Sequence, residues 1–377
     1  DGKYLVSTCN TGEIKLWNLE TGKCMTNIQP KGTNARQGCF NANETRIAVA
    51  SLQTGGSYGV SIYKTPIRYI PFVKKQAYFF LFSAVCVAVS VVSLIVYGLK
   101  PSIDFTGGTL IEFAFTEQRP ELSAMQEVIP RDIYGEAIVQ PVGEQGFLVR
   151  LRFITEDEHQ DILTRVRGAF EVEATETSQG NKVLEESIET IGPAISQSLK
   201  ERSVQAVFAV LVAIGGYIAF TFRKVSRPVA SWKYGIAAIV ALFHNVIITM
   251  GAFSLLGHFL GVEVGISFVL ALLTILGFSV HDTIVVFDRI REHLNKYGTS
   301  EFEVTVDRAL NETFIRSVNT SITVLIVLAA MFFFGGESVR YFVLALIIGI
   351  FFGTYSSIFI ASQLLVVSHR WDKRKRA

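Results

Sequence analysis

Charged residues are scarce in this sequence: Asp, Glu, Lys and Arg make up only 18% of its 377 residues, against 50% hydrophobic residues. A soluble domain usually carries about 25% charged residues. The mean hydropathy of +0.38 is also too high for a soluble chain. The composition therefore excludes an ordinary soluble globular protein and is typical of a multi-pass membrane protein.

Groups that carry chemistry are few as well. The chain has four cysteines, Cys9, Cys24, Cys39 and Cys86, and they fit no metal-ligand spacing. We expect no disulfides, because Cys86 lies in an apolar run and the other three lie in a segment predicted to be cytosolic. The sequence also lacks a plausible nucleophile–base set and a metal cluster. It gives no support for an enzyme, and we expect no cofactor, no metal and no nucleic-acid partner.

Long apolar runs are abundant, and a membrane-spanning helix needs about 20 apolar residues. The first run follows a folded-looking segment and has no small-residue cleavage site, so it is not a signal peptide. Six spans are predicted, at residues 77–99, 204–222, 234–256, 262–287, 318–334 and 341–367.

Lys and Arg residues predict the orientation of these spans. They cluster before the first span, between the second and third, between the fourth and fifth, and after the sixth. Because cytoplasmic loops carry the excess of basic residues, both termini are predicted to be cytoplasmic. The large insert at residues 100–203 is then external.

The insert has a pattern of its own, with predicted strands at residues 109–116, 137–142, 146–153 and 182–190 and predicted helices at 120–129 and 156–169. The order β-α-β-β-α-β indicates a ferredoxin-like α+β domain.

The first 64 residues are of a different kind. They alternate with period two, have turn signals, and resemble part of a WD-repeat propeller, with Leu16-Trp17-Asn18 at the Trp-Asp position. About one and a half blades are present, whereas propellers typically have four to eight. Either further blades lie upstream, or the segment is a fusion or assembly fragment. The predicted division is a WD-repeat-like β fragment (1–64), a basic lead-in with the first span (65–99), the external domain (100–203), a five-helix bundle (204–367) and a basic cytosolic tail (368–377).

The fourth span contains an ionisable pair, His281-Asp282, near one end of its apolar run. A charge at membrane depth costs about 2.5–3.5 kcal/mol on insertion scales. Such a pair predicts a pathway for protons, ions or substrate. The alternative is that Asp282 is a satisfied polar group between packed helices.

The fifth span presents one polar face, because Arg316, Asn319 or Thr320, and Thr323 follow helical spacing. With the rise of an α-helix, Asp282 and Arg316 lie about 30 Å and 27 Å below the outer ends of their spans. Antiparallel neighbours would bring the two charges together. Protonation of Asp282 would then release Arg316, or the pair is static and only anchors the fifth span.

Small residues recur every four positions in the sixth span: Ala345, Gly349, Gly353, Ser357 and Ala361. Such a stripe lets another helix approach closely. Packing within this bundle and packing at a moving surface both remain open.

Five motifs occur in a specific order and spacing: IDFTGGT at 103–109, IGPAISQSL at 191–199, GFSVHDTIVVFDRIRE at 277–292, NETFIRSVNTSIT at 311–323 and GIFFGTYSSIFIAS at 349–362. On these motifs the chain, from about residue 70 onward, resembles the SecF members of the SecD–SecF protein-export family, of the resistance-nodulation-division (RND) superfamily. The resemblance implies functional turns at Asp104, Gly107, Gly108, Gly192 and Pro193.

The resemblance also implies a six-span half of a twelve-span unit in the bacterial inner membrane. Its expected partners are a SecD-like subunit, the SecYEG translocon, a translocating unfolded polypeptide and membrane lipid. The proton motive force is implied as the energy source, and the family's proton-coupling Asp and Arg carry over to Asp282 and Arg316.

Two departures from the family pattern bear on the site, and a further one is Gln363 in the sixth span, where Pro is common. The third span reads His244-Asn245 where His-Asp is usual, and His281 stands where Asn usually precedes the Asp. His281 either shares a proton relay or substitutes for the hydrogen bonds of Asn. Two other functions remain as alternatives: a divergent RND-type half-transporter, and a membrane-tethered WD-repeat scaffold.

Overall fold

A computed structural model describes residues 4–8, 13–18, 21, 23–28, 33–40, 46–53, 58–64, 70–135, 137–172, 180–223, 229–297 and 302–376. The N-terminal segment forms two three-stranded antiparallel sheets. Their strands are β1 (Tyr4–Thr8), β2 (Ile14–Asn18), β3 (Lys23–Ile28), β4 (Thr33–Phe40), β5 (Arg46–Gln53) and β6 (Tyr58–Lys64). Alternation puts Ile14 and Leu16 on one buried face of β2. The predicted strands are present, and the WD-repeat resemblance stays a prediction.

The first apolar run forms helix α1 (Gln76–Val96), which is followed by the short helix α2 (Ile103–Thr106). The inserted domain then comprises β7 (Gly108–Phe115), α3 (Leu122–Val128), α4 (Arg131–Tyr134), β8 (Ile138–Val142), β9 (Gly146–Leu151), α5 (Glu156–Phe170) and β10 (Val183–Ile191). Its sheet is antiparallel with the order β10-β7-β9-β8. This is the predicted ferredoxin-like order, with α4 added.

Local sequence explains the domain's elements. Thr155 and Glu158 form a reciprocal capping box at the start of α5. Ile162 and Val166 on α5 are buried against the inward-facing residues of the central strands, such as Phe113 and Val149. These side chains form a core separate from that of the spans.

The described residues from 193 onward are mainly helical and form α6 (Pro193–Thr221), α7 (Ser231–Leu260), α8 (Ile266–Tyr297), α9 (Phe302–Phe334), α10 (Glu337–Ser356) and α11 (Ser362–Arg376). A π-helical turn at Ser357–Ala361 joins α10 to α11 within the sixth span. By length and composition, six helices of the described residues can cross a membrane, as predicted.

Two helices begin well before their apolar runs. Helix α6 starts at Pro193, one residue after its N-cap Gly192, rather than at residue 204. Helix α9 starts at Phe302 rather than at residue 318. Both added segments carry charged residues, so hydropathy finds only the apolar part of each helix. Helix α10 packs against α7, α8 and α9, and this central position brings the polar residues of three spans together.

Candidate functional site

Asp282 lies on α8 with only 3% of its surface exposed. Thr354 on α10 is its hydrogen-bond partner, with Thr354 Oγ1 at 3.2 Å from Asp282 Oδ2. Thr354 Oγ1 is in turn hydrogen-bonded to Ser321 Oγ on α9. The carboxyl group is therefore enclosed where three spans meet.

The direction of these hydrogen bonds depends on the protonation of Asp282. Thr354 Oγ1 also lies 3.1 Å from the Ile350 carbonyl oxygen, and Ser321 Oγ lies 3.0 Å from that of Ser317. A hydroxyl has one hydrogen to donate. An ionised Asp282 accepts the hydrogen of Thr354, which then accepts from Ser321. A protonated Asp282 donates to Thr354, which turns its own hydrogen to the Ile350 carbonyl and still accepts from Ser321. The same atoms thus satisfy both states.

A second polar network lies beside the first, between α7, α8 and the π-helical turn. Asn245 Nδ2 donates to Ser279 Oγ at 2.8 Å, and Asn245 Oδ1 lies 3.0 Å from His244 Nδ1. Thr283 Oγ1 lies 2.9 Å from Ser357 Oγ. His244 and Asn245 are both buried. Of the pair that replaces His-Asp, Asn245 forms a hydrogen bond to the neighbouring helix α8, whereas His244 bonds only Asn245 and its buried Nε2 has no partner among the described residues.

Gly349 and Gly353 allow α10 to approach α8. A Cβ on Gly349 would lie 2.1 Å from Ile275 Cδ1, and one on Gly353 would lie 3.2 Å from Ser279 Cβ. The central part of the small-residue stripe therefore faces α8 of the same chain. This close approach brings Thr354 within reach of Asp282 and Ser357 within reach of Thr283.

Arg316, the charge expected to pair with Asp282, and His281, the candidate relay member, both face away from the interior of the bundle. Arg316 and His281 are both exposed, and among the described residues no ion pair links Arg316 to Asp282. The pairing predicted from matched depth is therefore not formed between these two side chains in the structure, and their joint role in proton coupling stays a prediction. Each side chain is one helical position away from a buried one: Arg316 precedes buried Ser317, and His281 precedes Asp282. A step of one residue turns about 100° around the helix, which is enough to face away from the bundle.

The polar face of α9 is exposed along with Arg316. Asn319, Thr320 and Thr323 are all exposed, and the two threonine hydroxyls donate to carbonyls of their own helix. The residues at spacing four that face inward are Thr313, Ser317 and Ser321. Sequence reasoning identified the outward face and missed the inward one, and it also missed Thr354. The sequence signal that could have identified these buried residues is the recurrence of hydroxyl side chains at helical spacing within an apolar run.

Asp104, in the short helix α2 that follows α1, contacts the N-terminal end of α8. Asp104 Oδ2 accepts the backbone N–H of Ile266 at 2.7 Å and so caps the first turn of α8. Gly107 and Gly108 follow with φ angles of 72° and 131°. A Cβ on Gly108 would lie 2.6 Å from the Leu151 carbonyl oxygen, so only glycine lets β7 start beside β9 here.

One arginine of the inserted domain ties it to the spans. Arg150 Nη1 lies 2.7 Å from Glu263 Oε1, between α7 and α8, and Arg150 Nη2 donates to the Pro101 carbonyl at 3.0 Å. Burial raises the pKa of Glu263, while the charges of Arg150 and Lys100 act in the opposite direction. The domain is therefore fastened to the same loop that begins α8.

Six candidate spans, an α+β domain inserted after the first and a buried carboxyl at the centre of the bundle define a transporter-type membrane protein. Two family models match the chain: the C-terminal model of the protein export membrane proteins SecD/SecF at residues 171–371, and the SecD/SecF GG motif at residues 92–118. The second includes Asp104, Gly107 and Gly108.

Proteins with similar sequences belong to the same family. The protein translocase subunit SecF of Thermobaculum terrenum is 42% identical over 81% of this chain and 95% of the relative, and that of Rhodothermus marinus is 37% identical over 78% and 92%. Among solved structures, SecDF of Thermus thermophilus is 34% identical with a TM-score of 0.67, and it covers 83% of this chain. The chain spans only 40% of that SecDF chain. The chain belongs to the SecD/SecF family of protein-export membrane proteins, and within it the chain is a SecF-like export subunit.

Proposed function

We propose that this subunit couples proton movement through the membrane to protein export, with Asp282 as the group that takes up and releases the proton. The observation that carries the proposal is the enclosure of one carboxyl between three spans, with a hydroxyl partner that fits both its protonation states. A buried ionisable residue at membrane depth is costly unless it is paired or used.

The proposal includes a second, SecD-like subunit. The chain leaves Arg316, Asn319, Thr320 and Thr323 exposed on α9 and His281 exposed on α8. Polar side chains at this depth are expected to face protein or water rather than lipid. The solved SecDF chain, of which this chain matches 40%, is consistent with a second half that covers them. Asp282 would then meet Arg316 only through movement of the helices or through groups of the partner.

The proposed orientation has both termini in the cytoplasm of a bacterium and the α+β domain outside. There the domain would receive an unfolded polypeptide from the SecYEG translocon. Its attachment through Arg150 and Asp104 to the start of α8 provides a mechanical connection from Asp282 to the domain. Movement of α8 on protonation would be transmitted to the domain in this way.

The test is Asp282→Asn in cells or membrane vesicles that depend on this subunit. We expect the protein to remain inserted and the gradient-stimulated part of export to be lost, because the amide cannot carry a proton to or from the site. Asp288→Asn is the matched control, since Asp288 is an exposed carboxyl on the same helix, paired with Arg291. Undiminished gradient-dependent export by the Asp282→Asn protein would refute the proposal.

A further inference from the structure

A cavity of about 530 Å³ lies between the spans, away from Asp282. Its walls come from α6, α7, α8 and the segment that follows α1. Most of the lining is apolar, as illustrated by Val207, Leu211, Phe243, Val246, Met250 and Phe268. The volume is within the usual range for ligand sites, about 300–1,000 Å³.

The polar lining residues are Lys200, Ser203 and Thr106. Lys200 and Ser203 lie on α6 immediately before its apolar run, and Thr106 is the last residue of α2. Among the described residues, Lys200 is exposed and has no ion-pair partner. The cavity therefore has one cationic rim and an apolar interior.

The length of the cavity matches one leaflet of a bilayer. From Lys200 to Leu211 the helical rise is about 16 Å, and half of the hydrocarbon core is about 15 Å. On α8 the lining residues Phe268 and Leu272 lie in the first two turns, so both helices line the cavity from the same end. A ligand with its charged end at Lys200 would extend to about the bilayer midplane.

We propose that the cavity binds an anionic phospholipid, with one acyl chain along Val207, Leu211 and Val246 and the phosphate beside Lys200. Basic side chains at the headgroup level attract anionic lipids. An extended polypeptide fits less well, because its backbone N–H and C=O groups need hydrogen-bond partners. The lining between Val207 and Leu272 offers apolar side chains only.

The experiment uses the full-length chain in vesicles of phosphatidylethanolamine and phosphatidylglycerol, the latter with a diazirine near the end of one acyl chain. After illumination, labelled residues are mapped by mass spectrometry. The informative residues are Val246 and Leu272, which line the cavity and are each only 5% exposed, so they offer little surface to boundary lipid. We expect label on both.

Three variants decide the result. Val207→Trp fills the cavity and should abolish the label on Val246. Val212→Trp, at a similar depth on α6 but 56% exposed and outside the lining, should leave it unchanged. Lys200→Glu is expected to lower labelling by phosphatidylglycerol about fivefold, and it lies on the surface where folding is not at risk.

Equal label on Val246 in Val207→Trp and Val212→Trp would overturn the acyl-chain site. Undiminished labelling in Lys200→Glu would overturn the assignment of the phosphate to Lys200. Absence of label on Val246 and Leu272 in the unaltered protein would overturn the proposal as a whole.

Discussion

The inward and outward polar residues of the spans differ in where their partners come from. Inside the bundle, Asp282, Thr354 and Ser321 satisfy one another across three helices. On the outside, Arg316 and Asn319 are exposed at comparable depth. Within this chain the buried carboxyl of Asp282 has its hydrogen-bond partners, whereas the exposed side chain of Arg316 has none among the described residues. This contrast predicts that the two sets fail differently when altered: the inner set in proton coupling, and the outer set in assembly.

The largest expected effect is on assembly. Arg316→Ala should weaken association with the SecD-like subunit by about 2–5 kcal/mol, the cost of truncating one member of a buried interfacial charge pair. The measurement is the dissociation constant of the two subunits in detergent. Asp282→Asn should leave this constant unchanged, because Asp282 is enclosed within its own chain.

Arg340→Ala is the control for the loss of a positive charge, since Arg340 is exposed outside this polar face, over the ring of Phe332. Association of the Arg316→Ala subunit as tight as the unaltered one would show that the exposed face is not where the partner binds.

The next largest effect is expected on the coupling of proton movement to protein export. Thr354→Val removes the hydroxyl that donates to the ionised Asp282, and hydrogen bonds to charged groups contribute about 1.5–3 kcal/mol. We expect gradient-driven export to fall about tenfold or more and its pH profile to shift, with subunit association unaffected. Thr354→Ser keeps the hydroxyl and should restore the profile. Equal profiles for the valine and serine variants would remove Thr354 from the coupling scheme.

The spans could be predicted from the sequence because a run of about twenty apolar residues is typical of a membrane-spanning helix. The inserted domain could be predicted because its period-two strands alternate with helical segments. The start of α9 at Phe302 could not, since its charged first turns fall outside any apolar run and resemble a loop. The short α2 also escaped notice, because four residues carry no periodicity.

Within the site, hydropathy and the motif identified Asp282, but its partners were not predictable in the same way. Spacing places Arg316 and Thr320 on one face of α9 and Ser317 and Ser321 on another. It does not say which face meets a neighbouring helix. Which face of α9 is buried depends on how α10 packs between α8 and α9. This packing is set by contacts between residues that lie far apart in the sequence. Depth matching therefore selected the charged face, whereas packing buries the hydroxyl face.

The smallest predicted effect tests the packing that holds the inner set together. Gly349 on α10 is buried and Gly277 on α8 is exposed, so the effect of the same substitution can be compared at a buried and at an exposed position. Gly349→Ala places a methyl group against Ile275 and should destabilise the protein by about 1–3 kcal/mol, as overpacking does. Gly277→Ala meets nothing within 4 Å and should be neutral or slightly stabilising. The measurement is Tm in detergent.

A second substitution separates a steric effect from a general intolerance of alanine in α10. Ile275→Ala removes the carbons that a Cβ on Gly349 would meet at 2.1, 2.4 and 2.8 Å. The double variant Gly349→Ala, Ile275→Ala should therefore lose less Tm than the sum of the two single changes, since residues in contact are not additive. Strict additivity would mean that α10 and α8 do not touch at this position, and the route by which Thr354 reaches Asp282 would then need another explanation.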